Sequence, residues 1–157
     1  MRAIQSTLIL ACFAFWFGGF GFYVSIVVPI GTEILGSARD QGVITQQVSF
    51  WLNVFGAIAT AAMAWESIAS WKNSPTSRRR WLLICVIFFG LMQGGLFYLH
   101  PILSEMFDVT ELDISDEVKF YNLHRVYLWL STFQWLVAWI WMIGYCFRTN
   151  PPDSLRA

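Results

Sequence analysis

Four runs of this chain, Leu8–Ile30, Val48–Trp65, Trp81–Leu99 and Val126–Phe147, contain no charged residue and are almost wholly apolar. Each has the ~17–25 residues needed to cross a hydrocarbon layer of about 30 Å. A segment in lipid has no water to satisfy its backbone N–H and C=O groups, so it must satisfy them internally, as a helix or in a closed barrel. None of the four alternates apolar and polar residues as a barrel strand does. The expectation is therefore an all-α integral membrane protein with four transmembrane helices, its spans at about 8–30, 48–70, 81–103 and 120–147. Composition agrees, with 13% of the residues charged against about 25% in soluble domains. The first run is longer than the roughly 7–15-residue core of a signal peptide and carries aromatic residues throughout, so it reads as a permanent span. Short connections leave no room for a second domain and make successive spans antiparallel, which gives an up-down bundle over 1–157.

Charge divides the loops. The second connection carries Lys72, Arg78, Arg79 and Arg80, and the chain ends carry Arg2, Arg148 and Arg156. The third carries Glu105, Asp108, Glu111, Asp113, Asp116 and Glu117, with no basic residue before Lys119. Under the positive-inside rule both termini are expected in the cytoplasm and the acidic loop outside, most simply in a bacterial-type inner membrane. A formal net charge of zero conceals this division. Cys12, Cys85 and Cys146 then fall near the cytoplasmic ends of their helices, where thiols stay reduced, and are expected to act as small hydrophobes.

Small residues mark where helices approach in lipid, since packing there depends on close backbones. The expected seams are Gly18, Gly19, Gly21 and Ser25 in the first span, Gly56 and its neighbouring alanines in the second, and Gly90, Gly94 and Gly95 in the third. Gly90-x-x-x-Gly94 also suits a homo-oligomer face, but packing within one bundle is the preferred use.

Polar residues inside spans are costly, so they face the bundle interior and are the first place to look for function. Residues seven apart return to nearly the same helix face. Gln46, Asn53 and Thr60 form such a line, as do Gln93 with His100, and His124 with Ser131 and the nearby Gln134. They are expected to meet in a polar seam running inward from the outer mouth. His100, placed at the end of the third span by the following Pro101, and His124, at the start of the fourth, lie at similar depth. Glu33 and Gln47 are expected in the same layer, with Arg125 snorkelling to water. Two imidazoles on different helices plus a carboxylate are a donor set for a transition metal or for haem, with His100 and His124 as the candidate ligands. The simpler reading, preferred here, makes both histidines interfacial hydrogen bonders and pairs Arg125 with Asp116, Glu117 or Glu33.

The acidic loop lacks calcium-loop spacing, and no phosphate-loop, zinc-protease or nucleophile-elbow motif is present. No basic groove suits nucleic acid. The stretch VVPIGTEILGSARDQGVITQQVSFWLNVFG, residues 27–56, with FYNLHRVY at the fourth span, resembles small four-span membrane proteins of the transmembrane protein 205 class, a family of unknown function. The likeness rests on Pro29 at the end of the first span and on Phe120-x-x-x-His124 opening the last. Arg125 and Tyr127 stand where small residues follow the histidine in some members. The resemblance implies a four-span fold and no particular activity. The sequence thus predicts a multi-pass membrane protein with the lipid bilayer as its main partner, non-enzymatic in the preferred reading: a small transporter, accessory subunit or scaffold. The alternative is a redox, metal- or haem-binding protein.

Overall fold

The first span is not one helix but three consecutive helical pieces. In the structure, a computed structural model that describes residues 2–69, 71 and 75–146, α1 (Arg2–Phe22) runs into a π-helical turn (Tyr23–Val27) and then α2 (Val28–Leu35). Ser70, Lys72, Ser74, Phe147, Arg148, Pro151, Pro152 and Arg156 lie outside the described residues, as do the side chains of Arg2 and Cys146. A π turn inserts one extra residue into the helical ladder and re-aims the side chains around it. Here it turns Tyr23 inward, where it is buried and donates to Thr45 Oγ1 at 3.0 Å.

The chain reverses in two residues. Gly36 takes φ +76°, a left-handed value that a side chain would strain, and its N–H closes α2 on the Thr32 carbonyl at 3.1 Å. Ser37 then accepts the Asp40 N–H through its hydroxyl at 3.1 Å, capping α3 (Ala38–Ala69). The interval expected between spans at 30 and 48 is therefore mostly helix. Thr32, Gln41, Thr45 and Gln46 lower its hydropathy without interrupting the helix, because they turn toward the interior of the bundle, whereas Gln47 is exposed.

The next correction concerns Pro101. His100 does not end the third helix: α4 runs Thr76–Met106 with Pro101 inside it. Proline removes one ladder hydrogen bond, that to the Phe97 carbonyl, and neighbouring polar groups make this tolerable within a bundle. After α4, β1 (Phe107–Asp108) pairs antiparallel with β2 (Asp113–Ile114) in a small hairpin, and α5 (Glu117–Cys146) returns. The acidic connection is thus folded rather than a loose cap. Phe107 and Ile114, opposite each other across the hairpin, are both buried, and the Asp108 carboxylate accepts the N–H groups of Thr110 at 2.7 Å and Glu111 at 3.2 Å.

Among the described residues four helical segments, Thr7–Leu35, Ala38–Ala69, Thr76–Met106 and Glu117–Tyr145, are long and apolar enough to cross a membrane. α3 packs on both α1 and α4, and α4 on α5. The bundle closes between α1 and α5 through large rings: Phe17 stacks on Trp135 at 4.9 Å, and Phe13 meets Trp141 at 5.3 Å. The core lies in the half nearer the Thr76 end of α4, where Phe13, Met63, Phe89, Ala138 and Trp141 are fully buried. Cys85 is buried near this core, and Cys12 is exposed.

Glycines settle which seams are tight. Gly56 faces the Gln93 amide and the Trp16 indole, with Trp16 Nε1 3.0 Å from where a Cβ would stand. Gly95 faces Leu130 at 3.1 Å on the same measure. Gly18, Gly19 and Gly94 meet nothing within 4 Å. Of the glycines expected in the third-span seam, Gly95 meets a neighbour and Gly94 does not: a step of about 100° around the helix carries Gly95 inward and Gly94 outward.

Candidate ligand cavity between the helices

Toward the hairpin end the four spans diverge around a cavity of about 470 Å³, roofed in part by Phe107 and Ile114. This is well within the ~300–1,000 Å³ of small-molecule sites. Its walls are mostly apolar and aromatic. Its polar groups come mainly from α3 and α5, and on α3 Gln41, Thr45, Ser49 and Asn53 recur every fourth residue and all line the cavity.

The floor is a hydrogen-bonded chain across three helices. Gln134 Nε2 of α5 donates to Gln93 Oε1 of α4 at 2.8 Å. Gln93 Nε2 donates to the Asn53 carbonyl of α3 at 3.0 Å, and the Tyr127 hydroxyl donates to Asn53 Oδ1 at 3.2 Å. Asn53, Gln93 and Gln134 are 4%, 5% and 2% exposed, so this chain is shielded from solvent. Beneath it the aromatic core fills the bundle, and the cavity ends there.

The sequence-predicted residues divide accordingly. Asn53, His100, His124 and Gln134 line the cavity, and Gln93 supports its floor. Glu33, Gln47 and Arg125 are exposed and outside it. His100 Nε2 lies 3.1 Å from the Gln46 carbonyl; a carbonyl only accepts, so this nitrogen carries the proton and is committed to α3. His124 stacks on Phe120, the rings 5.8 Å apart and nearly parallel. Among the described residues no group of three or more His, Cys, Asp or Glu side chains is placed to hold a metal. Nor does Glu117 pair with Arg125: it pairs with Arg39 at 2.6 Å, and Arg39 also donates to the Leu112 carbonyl at 3.3 Å, tying the start of α3 to the hairpin. Thr60, expected in the seam, spends its hydroxyl on the Gly56 carbonyl of its own helix.

Sequence reasoning missed Gln41, Thr45, Tyr23 and Tyr127. The signal was the four-residue recurrence from Gln41 to Asn53, which marks one helix face but was obscured by reading residues before 48 as connection.

No protein-family model matches this chain, and neither does any curated protein or solved structure. The fold and the cavity define a multi-span helical membrane protein with an internal cavity at one end of its bundle.

Proposed function

We propose that this protein binds a small lipophilic molecule in the cavity and is a non-enzymatic carrier or accessory protein of a bacterial-type inner membrane, with the hairpin outside and both termini in the cytoplasm. The cavity itself is the observation that supports binding: mostly apolar walls to hold a ligand body and polar side chains on several helices to orient it. Binding is favoured over catalysis because several of the lining hydroxyls are otherwise engaged. Thr32, Thr45 and Ser131 each donate to a carbonyl one turn back, and among the described residues no hydroxyl is bonded to either imidazole, as an activated nucleophile would be. A continuous pore is not favoured either, since the aromatic core fills the far half. Orientation rests on the loop charges, and kinship with the transmembrane protein 205 class on Pro29 and the Phe120–His124 motif.

The test is extraction and mass spectrometry of lipophiles from protein purified in mild detergent, for the parent and for Ser104→Trp, which fills the cavity beside α3. A lipophile enriched with the parent and lost from a helical, monodisperse variant supports the proposal. Identical extracts from both, no richer than empty micelles, would sink it.

A further inference from the structure

The cavity is long for its volume. On α3 its lining runs from Ala38 to Asn53, and on α5 from Phe120 to Gln134. These intervals correspond to about 20 Å of helix at 1.5 Å per residue, so the space is a slot and not a round chamber. Residues with unpaired polar side-chain atoms line both ends of it, the Gln41 amide lying against Gly31 of α2. At the hairpin end Gln41 is 3% exposed and both atoms of its amide are unpaired; next along α3, Gln46 Oε1 is unpaired too. At the floor Asn53, 4% exposed, has its oxygen engaged by Tyr127 and its Nδ2 without a partner. Twelve residues separate Gln41 from Asn53, about 18 Å along the axis. A buried amide left unpaired is costly, so these atoms call for a partner that the protein itself does not supply.

Charge narrows that partner further. Among the described lining residues there is no Asp, Glu or Lys, and the one arginine, Arg39, is engaged by Glu117 and the Leu112 carbonyl. A carboxylate or phosphate head would find no lysine and no free arginine, only the imidazoles of His100 and His124, and an ammonium head no anion, at a large desolvation cost in either case.

Building on the cavity reading above, we propose that the slot takes an elongate, uncharged lipophile with a hydrogen-bonding group at each end: an acceptor such as a carbonyl, ether or hydroxyl oxygen at Asn53 Nδ2, and a group that both donates and accepts, such as a hydroxyl or amide, at Gln41. The apolar body lies between, against Leu52, Leu96, Leu103 and Leu128. Gln41 offers donor and acceptor side by side, which selects against a bare carbonyl there.

The experiment titrates purified protein in one detergent, empty micelles subtracted, with dodecanol, the α,ω-dodecanediol, dodecanoate and dodecyltrimethylammonium. The diol is expected to bind roughly two- to tenfold more tightly than the mono-alcohol, the worth of one added neutral hydrogen bond. The two ionic probes are expected not to bind. Gln41→Met, which keeps length and removes the amide, should bring the diol down to the level of the alcohol. Equal binding of diol and alcohol, or binding of an ionic probe, overturns this ligand class while leaving a lipophile cavity. If no probe binds and no lipophile co-purifies, the cavity reading fails with it. Should Gln41→Met fail to fold, the comparison among probes on the parent protein still decides the proposal.

Discussion

Gln93→Met is the perturbation that most directly tests the three-helix floor. Methionine keeps the length and flexibility of glutamine, so the contact with Gly56 is retained and only the amide is lost. Two hydrogen bonds disappear: the one Gln93 donates to the Asn53 carbonyl and the one it accepts from Gln134 Nε2. The Asn53 carbonyl keeps its helical partner on α3, so it is not stranded. Gln134 Nε2, buried at 2% exposure, is. Hydrogen bonds between membrane helices contribute about 0.6–2 kcal/mol, and a stranded buried donor costs about 1–3 kcal/mol. The expected loss is about 2–3 kcal/mol. Gln134→Met removes one bond and strands Gln93 Oε1, a loss of about 1–2 kcal/mol. The double variant leaves neither amide unpaired, so it should cost no more than Gln93→Met alone, a clear departure from additivity. The assay is reversible unfolding from mixed micelles by SDS titration, followed by circular dichroism. If Gln93→Met unfolds within about 0.5 kcal/mol of the parent, or if the two losses simply add, the floor does not hold the helices together as argued.

Gly94→Leu should accumulate and unfold like the parent, whereas Gly56→Leu, facing the Gln93 amide and Trp16, should lose about 1–3 kcal/mol or fail to fold; similar behaviour of the two in the same SDS titration would show the seam is drawn wrongly. Arg39→Gln breaks a pair whose side chains are 46% and 55% exposed, so its cost should stay under about 1 kcal/mol and shrink in high salt; hydrogen exchange at Ser115 would report the loosened hairpin, and unchanged exchange would count against the tether. The Asp108 carboxylate is held below its ordinary range by the N–H groups of Glu111 and then Thr110. A depressed folded value means that its contribution is present above the ordinary carboxylate range, about 4, and is lost as pH falls through the lower folded value. Protection of the Thr110 amide, its exchange rate divided into the intrinsic rate at the same pH, should therefore fall only in that acidic window, and a fall in protection at neutral pH would contradict this. A cysteine at Ser77 should be shielded from an impermeant thiol reagent in intact cells and one at Ser115 should react, with the reverse order overturning the orientation.

What the amino-acid sequence determined alone was the solvent and the element type. Uncharged apolar runs long enough to cross a bilayer leave helices as the economical way to satisfy a backbone in lipid, and the four helices lie where those runs are. It also singled out Asn53, Gln93 and Gln134, because an uncharged polar residue in an apolar run turns toward the interior wherever its helix has one. Helix ends were less legible. Gly36 and Ser37 turn the chain where hydropathy indicated a long connection, and α4 passes through Pro101, since hydropathy reports the lipid-facing surface and not the hydrogen-bond ladder. Which glycine meets a neighbour was decided by the rotation of α4 against α5, a tertiary quantity: one residue, Gly94 or Gly95, separates open space from contact with Leu130. The cavity is also a tertiary product. The π turn aims Tyr23 at Thr45, the hairpin lays Phe107 and Ile114 over one end, and Gln41 and Asn53 are left on one helix without partners for all their amide atoms. None of these follows from periodicity along one helix, since each depends on how far two helices stand apart.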